Sequence, residues 1–310
     1  MPTTSKLTFA NTWDHVLARW AVNRMGHLVE PGLYSLGTPT PESPVFVTAN
    51  YTLSFDALRS TLKGIDGYIL VLDTQGVNVW CAAGKGTFGT DELVKRIEAT
   101  RLGEVVNHRV LILPQLGAPG VAAHEVTKRT HFKIKYGPVR AEDLPEYIKT
   151  GEATPEMRRV RFTLKDRITL IPVELVAVLL PLLVLVLIGA KGAVAAILAG
   201  TVLFPILLPW IPTHNFSTKG FILGSVTALP FAIAAFLKNP ESAMWLRSAW
   251  VLVYALLIPP ITAYIALNFT GSTTFTSRTG VRREIFAYIP IMAGMFGIGL
   301  LLNIALILIH

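Results

Sequence analysis

Residues Asn78, Val79, Trp80, Cys81, Ala82, Ala83, Gly84 and Lys85 are consecutive and contain the only cysteine among 310 residues. A lone thiol excludes an intrachain disulfide, a CxxC redox pair and an all-cysteine zinc or iron–sulfur site, so no iron–sulfur cluster is expected in this chain. Any sulfur chemistry uses one thiolate. Three readings of the segment compete. Ala83, Gly84, Lys85, Gly86 and Thr87 look like the end of a phosphate loop, but Gly86 stands where Ser or Thr is required and Val79 occupies the first glycine position. Alternatively, Cys81 is a small core hydrophobe among Val79, Trp80, Ala82 and Ala83. In the third reading, a thiol beside a glycine-rich turn, with Lys85 four residues on, has the surroundings that favour a thiolate and ligation of a soft metal. One cysteine cannot hold such a metal alone, so the metal would arrive in its own macrocycle.

The elements that must position this segment are legible around it. Residues 45–50, 68–73, 109–114 and 131–136 are β-branched or aromatic runs and predict strands. Residues 54–62, 90–100, 120–129 and 141–149 predict helices, the second opening on Thr90 with Asp91 and Glu92 in its first turn. Strand–helix alternation implies a mainly parallel sheet with helices on both faces, a Rossmann-like α/β domain. Ligands of such sheets sit outside the carboxyl ends of the strands. Segments 51–52, 74–87, 115–119 and 137–138 should therefore line one rim, with Cys81 in the longest. Residues 1–43 read as a helix, with a helical apolar pattern over 13–25, followed by a Pro/Gly/Ser-rich arm.

The chain is 52% hydrophobic and 15% charged, with a mean hydropathy of +0.50, too apolar for a wholly soluble domain. Through Met157 there are 16 Lys+Arg against 16 Asp+Glu. Residues 158–167 carry five basic residues and one acid, and the remainder seven against three. The net charge of +8 therefore belongs to the membrane flank and membrane half. No basic, aromatic-interleaved patch marks the folded part, so nucleic acid is not expected as a partner, and anionic membrane lipid is.

Residues 168–189, 192–211, 220–237, 246–268 and 285–309 are nearly uncharged runs, each about the 20 residues that cross a bilayer. The expected organisation is residues 1–43 as helix and arm, 44–157 as a cytoplasmic α/β domain, 158–167 as a basic juxtamembrane linker, and 168–310 as an all-α domain of five transmembrane helices. The placement of basic residues puts the α/β half in the cytoplasm and His310 outside a multi-pass inner-membrane protein. Met1 to Ala10 lacks an apolar run, so no signal peptide is expected. Apart from Arg247 at the very start of the fourth run, Glu174 is the one charged residue within these five runs. It lies about a turn inside, near Arg167, so a proton relay or ion pore is not expected.

The motif Asn78 to Lys85, followed by Gly86, Thr87, Phe88, Gly89 and Thr90, resembles the cap-helix motif of the membrane corrinoid protein of the mercury-methylating pair. The soluble domain of that family is similar to the corrinoid-binding subunit of the corrinoid iron–sulfur protein in acetyl-CoA synthesis. Residues 18–37 and 47–59 and the apolar tail extend the resemblance over nearly the whole chain. It implies a corrinoid-dependent methyltransferase that passes methyl from base-off cobalamin to Hg(II), giving methylmercury. Cys81 would be the lower axial ligand of cobalt, and residues 78–87 the cap beneath the corrin. An anionic sulfur donor opposite the methyl group favours its departure toward a soft electrophile. Thr48, Asn50, Tyr51, Gln115, Gly117 and Tyr136, at strand ends, are candidate contacts to the corrin arms. The family's partners would be a ferredoxin-like protein with two 4Fe–4S clusters and a methyltetrahydrofolate-linked methyl donor. Two other readings stay open: a membrane-anchored corrinoid methyl carrier of one-carbon metabolism, and a membrane protein with a nucleotide-sensing domain in which Cys81 is structural.

Overall fold

The short β-branched runs assemble into one sheet. The computed structural model describes residues 1–273 and 276–309; His310, expected outside the membrane, lies beyond them. In chain order the first compact unit, Met1–Arg161, contains β1 (Pro2–Thr3), α1 (Phe9–Arg19), β2 (Gly32–Leu36), β3 (Val45–Ala49), α2 (Thr52–Thr61), β4 (Gly67–Leu72) and α3 (Val79–Lys85). There follow α4 (Thr90–Ala99), α5 (Leu102–Val105), β5 (Val110–Leu113), α6 (Ala123–Thr130), β6 (Lys133–Tyr136) and α7 (Leu144–Thr150). Among the described residues the sheet has six strands in the order β1-β2-β4-β3-β5-β6. Strands β4, β3, β5 and β6 are mutually parallel, and β2 runs antiparallel to β4.

Residues 32–36, read from sequence as part of the arm, are thus a strand. Gly32 and Leu36 are buried and the residues between them only half-buried, so no long apolar run announces β2. Its place comes from pairing with β4 across five residue pairs.

All five residues of β3 are buried, as expected for a strand covered on both faces. Alternation sends Val45, Val47 and Ala49 to one face, against Ala82, Leu93 and Val126 of the following helices. Phe46 faces the other way with Ile69 and Val71, against Phe55 and Leu58 of α2 and Leu144 of α7.

Helix α1 is attached by polar groups. His15 Nε2 lies 2.8 Å from Asp56 Oδ2, and Arg59 Nε donates to Asp56 Oδ1 over 2.6 Å. Asp14 accepts from Thr52 Oγ1 and pairs with His27 Nδ1. Burial alone would raise the Asp56 carboxyl, but the hydrogen bonds from His15 and Arg59 outweigh it and hold the group below its usual range. A carboxylate whose pKa is depressed by folding contributes stability that is complete above its unfolded value, about 4, and lost as pH falls through the folded one. Acid titration of thermal stability should therefore show a loss beginning near pH 4 that Asp56→Asn makes shallower; an identical slope in the variant would contradict this.

The second unit, Phe162–His310, is helical: α8 (Leu164–Ile168), α9 (Ile171–Ala177), α10 (Leu179–Leu187), α11 (Lys191–Leu198), α12 (Phe204–Leu207), α13 (Phe216–Lys238), α14 (Met244–Asn268) and α15 (Arg278–Ile309). Among the described residues three helices are long and apolar enough to cross a membrane, spanning Phe216–Lys238, Met244–Ser272 and Thr279–Ile309, against five expected. Leu164–Ala177 and Leu179–Leu187 make a fourth span only if their 63° bend lies within one crossing, and Lys191–Leu207 is a shorter apolar helix. A π-helical turn at Ala199–Leu203 precedes Pro205, which cannot donate to the preceding turn. Helices α13 and α14 touch at Gly220 and Gly224, where added Cβ atoms would lie 2.5 Å from Ala263 Cα and 2.6 Å from Pro259 Cα. Glu174 is not the sole ionisable side chain among these helices. Lys219, in α13, donates to the carbonyls of Leu208 and Ile211, and Glu284, in α15, accepts from the backbone N–H groups of Phe216 and Ser217. Glu174 itself accepts from Ser272.

Candidate functional site

Strand order places a crevice. From β3 the chain moves to β4 on one side, then crosses to β5 on the other, so the carboxyl ends of β3 and β5 flank a topological switch point. A cavity of about 240 Å³ opens there. Thr48 and Pro114 come to it from the strand ends, Ser54 and Leu58 from α2, and Asn78 and Trp80 from the segment after β4.

Helix α3 is built for placement. Asn78 caps it, its Oδ1 accepting from the Cys81 N–H at 2.9 Å. Ala82 and Ala83 are buried against the sheet, which leaves Cys81 half-buried on the turn between cap and core. The helix ends on Gly86 at φ 87°, a left-handed conformation that favours glycine, and the Phe88 N–H returns to the Ala82 carbonyl at 3.2 Å. Behind it, the turn around Gly117 and Gly120 presses on the cap. A Cβ on Gly120 would lie 2.1 Å from the Phe88 carbonyl oxygen and 3.0 Å from Ala83 Cα. Gly84 and Lys85 are exposed. The buried Thr87 hydroxyl has no hydrogen-bond partner among the described residues.

Of the residues singled out from sequence, Thr48, Asn78, Val79 and Trp80 line the cavity, and Cys81 follows in the same helix. Asn50 is buried with its oxygen taken by the Thr74 N–H, the Thr74 hydroxyl and the Gly76 N–H; it pins the loop after β4. The Tyr136 hydroxyl donates to the Val121 carbonyl at 2.7 Å, and Gln115 Oε1 accepts from Arg158. Gly117 is buried, 2.6 Å from a Phe88 ring carbon at its Cβ position. Tyr51 precedes α2, its hydroxyl pKa raised by burial against the opposing pull of Arg19 and Arg24. The sequence reading missed Ser54, Leu58, Ile112 and Leu144 of the cavity wall, which look like ordinary core positions, and Gly120, taken as a helix start.

Among the described residues no group of three or more His, Cys, Asp or Glu could hold a metal ion. Fold and crevice together define an α/β unit with a crevice at its switch point, followed in the chain by an apolar helical unit. Comparison with known proteins narrows this: residues 21–147 match the family described as CO dehydrogenase/acetyl-CoA synthase delta subunit. Acetyl-CoA decarbonylase/synthase complex subunit gamma of Archaeoglobus fulgidus is 39% identical over 113 residues, 36% of this chain and 24% of the relative. The subunit gamma of Methanopyrus kandleri is 35% identical over 123 residues, 39% and 26% of the two chains, and that of Methanothermobacter thermautotrophicus 32% over 127 residues, 40% and 27%. The matches to these relatives thus span about a quarter of their length, and the family match lies within the α/β unit.

Proposed function

We propose that this chain is a membrane-anchored corrinoid protein that carries methyl groups, with the corrinoid held at the β3/β5 crevice. The observation that carries the reading is Cys81, a lone half-buried cysteine whose backbone N–H is held by Asn78, next to Trp80 on the short helix whose start lines that crevice. The gamma-subunit relatives of acetyl-CoA decarbonylase/synthase support it, since the soluble domain of the family that the cap motif resembles is similar to a corrinoid-binding subunit of acetyl-CoA synthesis. The donor set fits the group: one sulfur without further metal ligands suits a cobalt already held by its macrocycle. The unpartnered Thr87 hydroxyl offers a hydrogen bond to a polar edge. When bound, the corrinoid supplies a cobalt that accepts and gives up methyl. The chain's part is to ligate it through Cys81 Sγ, to orient that sulfur through Asn78, and to brace the cap through Ala82, Ala83 and Gly120. Gln115 and Tyr136 already have partners within the fold, so any contact they make with the corrin competes with these.

In this reading the α/β unit faces the cytoplasm, a low-potential ferredoxin with two 4Fe–4S clusters supplies electrons, and a methyltetrahydrofolate-linked protein supplies methyl. A narrower reading sends the methyl group to Hg(II). What favours it is the ligand type: sulfur rather than a neutral nitrogen suits transfer of methyl as a carbanion equivalent to a soft electrophile. The deciding experiment is cobalt and corrinoid analysis of the purified full chain after reconstitution with cobalamin. One cobalt per chain with base-off absorption is expected, and no bound corrinoid would overturn the proposal. Supplying methylated protein and reduced ferredoxin with Hg(II) then separates the readings: methylmercury supports the narrower one, and methyl passing only to another acceptor supports the carrier.

A further inference from the structure

Helix α1 is inside out. Its polar and small residues face the protein: Asp14 binds Thr52 and His27, His15 binds Asp56, and Ala18 is buried. Its apolar residues face away, with Phe9 83%, Trp13 53% and Val16 39% exposed, and Trp20, the residue that caps its end, 47%. These four recur at intervals of four, three and four, a single stripe along the helix. Val22, Met25 and Leu28 extend the exposed apolar surface past its end, at 48%, 62% and 50%. A stripe this continuous implies a partner.

Charge identifies the partner's chemistry. From Met1 to Val29 the charged side chains are Lys6, Arg19, Arg24 and Asp14. The three bases are exposed, while the one acid is engaged with Thr52 and His27. An apolar stripe with two tryptophans, flanked by three exposed bases against one exposed acid, Glu30, just past its end, is the pattern of a helix lying in the plane of an anionic lipid surface. The chain also carries helices long and apolar enough to enter a bilayer, which keeps a lipid surface at high effective concentration.

We infer that the Phe9–Leu28 face docks on anionic phospholipid headgroups, an attachment separate from the spans. It does not use Cys81, and only its far end, where Leu28 packs beside Gly76 and bridges to Tyr51, meets the rim of the crevice. The test places the full chain in nanodiscs of phosphatidylcholine with brominated phosphatidylglycerol, where bromine quenches nearby indoles. Subtracting the fluorescence of a Trp13→Phe/Trp20→Phe variant isolates those two residues from the other four tryptophans. Their emission should fall by about half or more, and recover in an Arg19→Glu/Arg24→Glu variant or at about 1 M salt, where the screening length shrinks to about 3 Å. Unquenched emission overturns the inference, whether the face proves solvent-exposed or, by a doubled particle mass, covered by a second copy. Quenching unchanged by charge reversal overturns it too.

Discussion

Cys81→Ala is expected to abolish the sulfur-dependent part of the cobalamin spectrum while leaving the fold intact. The physical argument separates the two effects. Helix α3 is held by Ala82 and Ala83 in the core, by the Asn78 cap and by the left-handed end at Gly86. Cys81 Sγ is not part of that support, and its removal from a half-buried position should cost less than about 1 kcal/mol of stability. The donation of the Cys81 N–H to Asn78 survives, because it is a backbone group. Under the proposed function, by contrast, ligation rests on that single sulfur, and among the described residues no group of three or more His, Cys, Asp or Glu stands ready to replace it. Methyl transfer should fall on the order of a hundredfold or more, about 2.7 kcal/mol of transition-state stabilisation.

Cys81→His sharpens the result. Imidazole is a competent but neutral donor, so under the proposed narrower reading this variant should retain cobalamin and lose transfer to Hg(II). Spectra of both variants indistinguishable from the unsubstituted protein would refute ligation by Cys81, and retained mercury methylation in the histidine variant would refute the argument from donor charge.

What the sequence disclosed follows from where its signals are local. Strands β3 to β6 and helix α4 announce themselves through β-branched runs and through Thr90 with Asp91 and Glu92, so the parallel part of the sheet was legible. Strand β2 was not, because Gly32–Leu36 gains its place from pairing with β4 rather than from its own pattern. The rim residues divide in the same way. Strand-end position suggested Asn50 and Tyr136, but position says nothing of whether a polar side chain is already occupied. Asn50 is taken by three donors and Tyr136 by a carbonyl. Lys219 and Glu284 looked like boundary charges because hydropathy windows end runs at charged residues, whereas α13 and α15 continue through them by bonding those charges to backbone groups.

Gly120→Ala should be more damaging to the protein itself than any change to the thiol. Alanine needs room for one methyl group. At Gly120 that atom would meet the Phe88 carbonyl oxygen at 2.1 Å and Ala83 Cα at 3.0 Å, both backbone positions. Neither can rotate aside. Phe88 is fully buried and the Phe88 N–H closes the end of α3 on the Ala82 carbonyl, so relief requires shifting the cap or the turn that braces it. Overpacking of this kind costs about 1–3 kcal/mol and sometimes more, and the backbone contact places Gly120 at the upper end. Loss should concentrate locally: amide exchange at residues 82–88 should accelerate about a hundredfold, and cobalamin binding should weaken by at least about tenfold. Gly103→Ala is the control, since its Cβ would find only ordinary contact, 3.7 Å from the Arg109 guanidinium, and alanine favours the short helix α5 by up to about 1 kcal/mol. Equal exchange rates in the two variants would mean that the Gly120 turn does not brace the cap. A Gly120 variant with fast exchange but undiminished cobalamin binding would instead detach the cap from the cofactor site, a result that no change at Cys81 can deliver.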